Sequence, residues 1–149
     1  MRKRWWRLLW AVGRRPVRGC RVLVFDAEER VLLIRHSYGE GGWMLPGGGI
    51  GRGEDAVAAG AREVLEETAC RLAGVVALGQ SADSSMAIRH EVHLVAGWTV
   101  DMPRPDGREI VAAAFFAPEA LPDDLSPRLA EAMAAYLTRA KAARPAPPR

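Results

Sequence analysis

The chain contains 149 residues, of which 49% are hydrophobic and 26% are charged. These values are those of a globular protein with room for one ordinary domain, and they exclude a fibrous or wholly disordered chain. The formal net charge of +3 conceals an asymmetry, because residues 1–18 hold seven of the 21 basic residues and none of the 18 acidic ones. Residues 19–149 therefore carry a net charge of −4, and the excess of basic residues belongs to the N-terminal segment.

Residues 1–18 also contain three tryptophans, Trp5, Trp6 and Trp10. Arg7 interrupts their apolar stretch well short of the roughly 20 residues that a membrane-spanning helix needs, and residues 13–16 offer no signal-peptide cleavage site. Three interpretations stay open: a basic arm or helix folded onto the domain, an interfacial helix that contacts anionic membranes or RNA, or a disordered segment. We expect the first, since three exposed tryptophans would form an unusually large apolar patch.

The two cysteines, Cys20 and Cys70, share no metal-ligand spacing and lie in apolar stretches. They are predicted to be buried thiols rather than a disulfide or a zinc site. This cysteine usage fits a protein of the reducing cytoplasm.

Hydrophobic periodicity predicts strands at 20–26 and 31–36, joined as a hairpin by a polar turn. A short extended piece at 43–45 precedes a proline and three glycines, 46–49, that cannot be helical. A helix is predicted over 54–68, followed by strands at 75–78, 88–100 and 110–116, with a loop rich in proline and glycine at 101–107. Ser126 and Pro127 begin a closing helix that ends near Ala142. This order predicts an α/β fold in which a mixed sheet lies between helices, with one domain at 19–142 and a disordered tail at 143–149.

The helix at 54–68 carries the most informative residues. An apolar stripe is predicted to face the core, with the glutamates on the opposite side; its members are Val57, Ala61, Val64, Leu65 and Thr68. Glu63, Glu66 and Glu67 are spaced i, i+3 and i+4, so they emerge together from the helix and would repel one another. A hard cation such as Mg²⁺ or Mn²⁺ relieves that repulsion, because carboxylate oxygens are its preferred ligands.

These glutamates belong to a longer pattern that also includes Gly48, Glu54 and the pair Arg62-Glu63. The spacing resembles the box of the Nudix hydrolases (MutT-like), G-x5-E-x7-R-E-U-x-E-E-x-G-U, in which U is a bulky apolar residue. All six fixed polar or glycine positions before the last glycine match. The last glycine is Ala69 here, at a helix exit where a left-handed conformation costs a residue other than glycine about 1 kcal/mol.

The resemblance implies an α/β/α sandwich and metal-dependent hydrolysis of the pyrophosphate bond in a nucleoside diphosphate linked to another moiety. It implies a metal site formed by Glu63, Glu66, Glu67 and the carbonyl of Gly48. Glu63 is either a metal ligand or the general base that activates water. Gly47, Gly48 and Gly49 let the backbone approach the substrate phosphates.

Other polar residues have two interpretations each. Arg62 either holds a catalytic carboxylate in orientation or forms a plain ion pair with Glu66 across one helical turn. Glu54 is predicted to support the start of the helix. In relatives a late strand adds an acidic residue near the metals, and here Glu109, or Glu91 from the preceding strand, would have to serve.

Histidines and tryptophans carry weaker signals. His36, His90 and His93 share no metal spacing, and we do not expect them to be catalytic. Trp43 and Trp98 can stack on a nucleobase, although packing in the core is the expected role.

The substrate remains open. The residues that mark specificity for ADP-ribose or for diadenosine polyphosphates in relatives are missing from 84–88, which leaves a nucleoside triphosphate or nucleotide sugar as the broad expectation. A rival hypothesis is a non-catalytic Nudix-like domain that senses a nucleotide or binds a partner. The complete set of box glutamates favours the enzyme.

Overall fold

Six strands and two helices are present in residues 17–38, 41–82 and 90–143, the part of the chain that the computed structural model describes. In chain order they are β1 (Val17–Phe25), β2 (Val31–His36), β3 (Gly47–Gly49), α1 (Ala56–Thr68), β4 (Ala73–Gln80), β5 (His90–Trp98), β6 (Ile110–Phe116) and α2 (Pro127–Ala143).

The strands form one mixed sheet in the order β4-β5-β1-β2-β6, with β3 paired to β1. β1 runs parallel to β5 along its whole length, from Val17 opposite His90 to Phe25 opposite Trp98. The pairs β4 with β5 and β2 with β6 are antiparallel. The predicted mixed sheet is therefore confirmed.

The hairpin predicted from β1 and β2 opens soon after its turn. The two strands pair at Phe25 and Val31, and the segment leading into β3 then lies between them. The amide of Val22 donates to the carbonyl of Pro46 at 2.9 Å, and Ile34 and Met44 exchange two backbone hydrogen bonds of 2.9 Å. The opening of the hairpin thus places the glycine strand, our name for β3, beside the centre of the sheet.

Alternating residues of the central strands bury opposite faces of the sheet. The layer beneath α1 contains Val22, Val24, Leu32, Val64 and Val95. The layer beneath α2 contains Leu23, Phe25, Leu33, Leu94, Trp98, Met133 and Tyr136. Since each layer is covered by one helix, the fold is the predicted α/β/α sandwich.

The first helix begins at a polar cap, but later than predicted. Asp55, and not Glu54, is the N-cap of α1, and its Oδ1 accepts from the amide of Ala58 at 2.8 Å. α2 begins at Pro127, directly after Ser126, as predicted. At the exit of α1, Ala69 adopts the left-handed conformation with φ of 62°, and its amide donates to the carbonyl of Leu65.

Several predictions fall outside the described residues. These are the N-terminal segment up to residue 16, the segment 84–88 and the tail from residue 144. Val17 and Arg18, the last two residues of the basic segment, already belong to β1. Neither helix among the described residues is long and apolar enough to cross a membrane.

Candidate active site

The face of α1 that packs toward the sheet differs from the predicted stripe. Its buried residues are Ala59, Gly60, Glu63, Val64, Glu67 and Thr68. Leu65, predicted to be in the core, is 44% exposed. The helix is turned so that two of the three box glutamates are buried, because the glycine strand lies next to them and offers backbone amides instead of apolar side chains.

Glu67 is bound directly to the glycine strand. Its side chain is almost completely buried, and its Oε1 accepts from the amide of Gly47 at 2.9 Å. A Cβ added at Gly47 would collide with the backbone carbonyl of Cys20. Only glycine therefore brings this amide close enough for the glutamate to bind it.

Glu63 lies against the next glycine. A Cβ added at Gly48 would stand 2.5 Å from Cδ of Glu63, closer than real Cβ contacts come. Because Gly48 has no side chain, the carboxylate packs on its backbone. Glu66, one turn from Glu63, is exposed at the surface of the helix.

Arg62 joins these carboxylates to the strand and to the loop before the helix. Its Nε and Nη2 donate to the two carboxylate oxygens of Glu54, both at 2.8 Å, and Nη2 also donates to the carbonyl of Gly49 at 2.8 Å. Its Nη1 donates to Oε1 of Glu63 at 2.9 Å and lies 3.5 Å from Oε2 of Glu66. Arg62 thus does more than form an ion pair along the helix, since it connects Glu54, α1 and β3.

The charges around Arg62 stabilise one another. The hydrogen bonds from Arg62 hold the pKa of Glu54 below its usual value, with help from the amide of Gly51, which donates to Glu54 at 2.7 Å. The bond to Glu54 in turn raises the pKa of the Arg62 guanidinium, and Glu63 raises it further. Glu54 and Arg62 are therefore both charged at neutral pH.

The thiols of both cysteines are free and buried, as predicted. Burial raises the pKa of Cys20 to about 11 against an opposing hydrogen bond with the backbone of Gly48, and the negative charges of Glu63 and Glu67 add to the rise. Burial also raises the pKa of Cys70. Both are protonated at neutral pH and act as small apolar residues.

The donor chemistry of α1 fits a hard divalent cation, since it offers three carboxylates on neighbouring turns, two of them buried against a glycine backbone. Within the described residues, no group of three or more His, Cys, Asp and Glu side chains is arranged to hold a metal ion. Arg62 instead contacts Glu63 and Glu66. The set Gly48, Glu63, Glu66 and Glu67 stays a prediction as a metal site.

The two candidates for an additional acidic residue have different surroundings. Glu91 on β5 is half exposed and lies 3.8 Å from Nε of Arg18 and 3.3 Å from Nε2 of His93. Glu109 precedes β6 and is 4% exposed. Neither joins a metal-binding group among the residues that the structure describes.

The two tryptophans considered for base stacking each pack against the ring of a phenylalanine. Trp98 is 1% exposed and packs against the ring of Phe25. Trp43 is half buried, edge-on to Phe116, with the guanidinium of Arg35 over its ring. His36 packs against Tyr38 at the end of β2.

Sequence reasoning missed two contributors to this site. Asp55 caps α1, and its position three residues before Ala58 was a readable capping signal. The bond from Arg62 to the carbonyl of Gly49 joins residues 13 positions apart. No local pattern predicts that contact.

A profile of the NUDIX domain family matches residues 15–137, which include both α1 and the glycine strand. Among solved structures, a NUDIX hydrolase from Nitrosomonas europaea is 25% identical, with a TM-score of 0.69 over 89% of this chain and 76% of that one. A MutT NUDIX hydrolase from Burkholderia pseudomallei is 24% identical, with a TM-score of 0.65 over 84% of this chain and 98% of that one. An ADP-ribose pyrophosphatase from Streptococcus suis is 20% identical, with a TM-score of 0.69 over 89% of this chain and 98% of that one. Comparison with curated protein sequences gave no significant match.

Proposed function

Because the chain belongs to the NUDIX family and is a pyrophosphohydrolase of that family, we propose that it cleaves the pyrophosphate bond of a nucleoside diphosphate linked to another moiety. The reaction depends on Mg²⁺ or Mn²⁺ held by Glu63, Glu66, Glu67 and the carbonyl of Gly48. Such a metal neutralises charge on the diphosphate and makes bound water easier to deprotonate.

The observation that carries this proposal is the position of Arg62. One guanidinium contacts Glu54, Glu63, Glu66 and the carbonyl of Gly49, so it fixes the carboxylate helix to the glycine strand. A plain surface ion pair would not need the contact between Arg62 and the carbonyl of Gly49. Orientation of ligands by neighbouring groups is typical of metal sites.

The glycine strand, Arg62 and Glu63 have different roles in this reaction. The glycine strand has no side chains, so its backbone can approach substrate phosphates closely. Arg62 orients Glu63 and Glu66. Glu63, buried against Gly48, either binds metal or accepts the proton of the attacking water, and both roles require its charged form.

The test is a screen for nucleoside monophosphate release from nucleoside triphosphates, nucleotide sugars and ADP-ribose, with Mg²⁺ or Mn²⁺. We expect turnover of at least one compound, and its complete loss on chelation with EDTA. Binding of nucleotides without turnover under either metal would instead favour the rival hypothesis of a nucleotide-sensing domain.

The cytoplasm is the location that we propose, on the grounds of the two free thiols. The basic segment before β1 remains either a part of the domain or a contact for RNA or anionic membranes. Removal of residues 1–16 distinguishes these: in the first case the free energy of unfolding falls by several kcal/mol, given roughly 1.5–3 kcal/mol for each buried large apolar side chain. In the second case stability is unchanged and binding to anionic vesicles or RNA is lost.

A further inference from the structure

The two edges of the sheet differ in how their backbone is protected. At one edge, β4 changes register against β5 twice, and Gly74 and Gly79 within it have positive φ. Arg139 of α2 also binds this strand, since its Nη1 donates to the carbonyls of Leu78 at 3.1 Å and Gln80 at 2.7 Å. Irregularity and covering side chains of this kind keep an edge strand from pairing with another chain.

β6, at the other edge, is far less protected. Its sequence from Ile110 to Phe116 contains no charged residue, glycine or proline. It pairs with β2 on one side, and within the part of the chain that the structure describes no strand lies on its other side. An apolar edge strand without such protection is a template for pairing with a further strand.

The hydrogen bonds of β2 show which backbone groups of β6 face outward. Ile34 exchanges both of its backbone hydrogen bonds with Met44, on the side away from β6. Its register partner Ala113 is therefore in a pair without hydrogen bonds, and the N–H and C=O of Ala113 point away from β2. Phe115, two residues further along the strand, directs its own groups the same way. None of these outward groups has a partner among the described residues.

The open part of this edge is short. The amide of Ile110 donates to Oδ1 of Asp106 at 2.9 Å, and its carbonyl accepts from the amide of Gly107 at 3.0 Å. The register against β2 shifts at the next residue, which leaves Val111 as an extra, bulged residue. Only 112–116 therefore offers a regular strand with outward groups to a partner.

We propose that β6 pairs with β6 of a second copy of this chain, antiparallel, about a two-fold axis at Ala114. In this register Ala113 lies opposite Phe115 of the second copy, and each such pair exchanges both of its backbone hydrogen bonds. The two sheets then continue as one. Because identical patches meet on a two-fold axis, the assembly closes as a dimer and does not extend into a fibre. This inference does not depend on the proposed function.

The side chains of β6 fit this register. Each phenylalanine lies opposite an alanine, with Phe115 opposite Ala113 and Phe116 opposite Ala112, while Ala114 meets its own copy at the axis. Opposite residues of an antiparallel pair are about 4.5–5.5 Å apart at Cβ. A small residue opposite each ring therefore avoids a collision between rings, both of which are already half-buried in their own copy.

Neighbouring registers fit less well. An axis at Ala113 would place Phe115 of the second copy opposite the bulged Val111. It would also place Phe116 opposite Ile110, whose backbone groups are already bound. An axis at Phe115 would set the two Phe115 rings against each other. The axis at Ala114 uses only the open part of the edge.

The charges at the ends of β6 favour antiparallel pairing. Arg108 precedes the strand and Glu119 follows it, and both are exposed. Antiparallel pairing brings the Arg108 end of one copy to the Glu119 end of the other, twice by symmetry. Between these ends β6 has no charged residue, so pairing buries no charge.

Sedimentation velocity of the full chain over a wide range of concentration tests the proposal. We expect the mass to rise from that of one chain toward that of two. Hydrogen exchange measured by NMR gives a second readout. The amides of Ala113 and Phe115 should exchange freely in the monomer and be protected in the dimer, whereas the amide of Ala114, bound to β2, should be protected in both.

Ala113→Pro removes an outward N–H and leaves the pairing with β2 intact, and proline is tolerated at an edge position of this kind. The protein should therefore fold. Dimerisation should weaken about tenfold or more, because the lost hydrogen bond occurs twice in the dimer.

Charge variants test the direction of pairing. Arg108→Glu and Glu119→Arg should each weaken the dimer about threefold or more, because like charges then meet twice. The double variant should restore dimerisation. Arg71→Glu, at an exposed arginine just before β4 at the opposite edge of the sheet, is the matched control and should leave dimerisation unchanged.

A full chain that stays monomeric at every concentration would overturn the inference. If removal of residues 1–16 then produced the dimer, the N-terminal segment would be the occupant of this edge instead. A dimer of unchanged strength in folded Ala113→Pro protein would overturn it as well. If that variant does not fold, the charge variants decide, since no loss in the single variants or no recovery in the double variant excludes the antiparallel pairing.

Discussion

The two faces of the sheet beside the glycine strand have opposite chemistry. On the α1 face, Glu63 and Glu67 pack against glycine backbone, and Arg62 donates to Glu63. On the α2 face, Arg21 and Arg128 line a cavity without a carboxylate among the described residues. Cys20 and Arg21 are consecutive in β1, and the alternation of a strand places one on each face.

Among the described residues, the proposed metal ligands therefore lie at the α1 face and the glycine strand, and none lines the cavity of the α2 face. Changes to the carboxylate face should lower the turnover of every substrate by a similar factor. Variants of the carboxylate face and of its helix test this expectation.

The largest effect is expected at Glu67. Glu67→Gln is nearly isosteric and can still accept from the amide of Gly47, so the fold should survive. The loss of charge should reduce kcat on the order of 10²-fold or more, as for other electrostatic and metal contributions to catalysis. Steady-state kinetics on two substrates with different bases checks both the size and the uniformity of the loss. The exposed Glu131→Gln on α2 is the control, and full activity in folded Glu67→Gln protein would refute the metal assignment.

Arg62→Lys should have the next largest effect. Lysine keeps the charge but cannot contact Glu54, Glu63 and Gly49 at once, because it lacks the planar fork. We expect activity or metal affinity to fall about 10–100-fold, the range for residues that orient metal ligands. Titration with Mn²⁺ during turnover distinguishes a loss of activity from a loss of metal affinity. If Arg62 is only an exposed ion pair, activity is unchanged and stability shifts by no more than about 1 kcal/mol.

Gly48→Ala should displace the side chain of Glu63 while the sheet stays stable. The new Cβ meets the end of a flexible side chain, so Glu63 moves, and we expect activity to fall about tenfold or more while the protein folds. In Gly47→Ala the obstacle is backbone, so stability should fall as well, typically by about 1–3 kcal/mol for overpacking. Thermal unfolding and kinetics on both variants compare these losses. Similar profiles for the two would contradict this account.

The smallest effect is expected at the exit of α1. Ala69→Gly relieves the left-handed conformation at φ of 62° and should stabilise the protein by about 1 kcal/mol. Activity should not change, since Ala69 is outside the carboxylate cluster. Urea denaturation measures the gain. Glu29→Gly, at the other described residue besides glycine with positive φ, is a matched position in a turn and should give a similar gain.

The sequence of this protein determined its local structure and its family. The alternation in β1 and the Ser126-Pro127 start of α2 follow from residues within a few positions of one another, and so does the spacing of the box. Such signals depend on the intrinsic preferences of short segments, which the sequence contains completely.

Only the tertiary structure decided which face of α1 is buried and what lies behind the glycine strand. Leu65 is exposed and Glu67 buried because the neighbour of that helix face is a glycine backbone, whose Gly47 amide binds Glu67, and hydrophobic periodicity does not represent such a contact. The opening of the hairpin, the bond from Arg62 to Gly49 and the cavity lined by both Arg21 and Arg128 depend on residues far apart in the chain. Contacts of this kind depend on how whole elements pack, and no short segment specifies them.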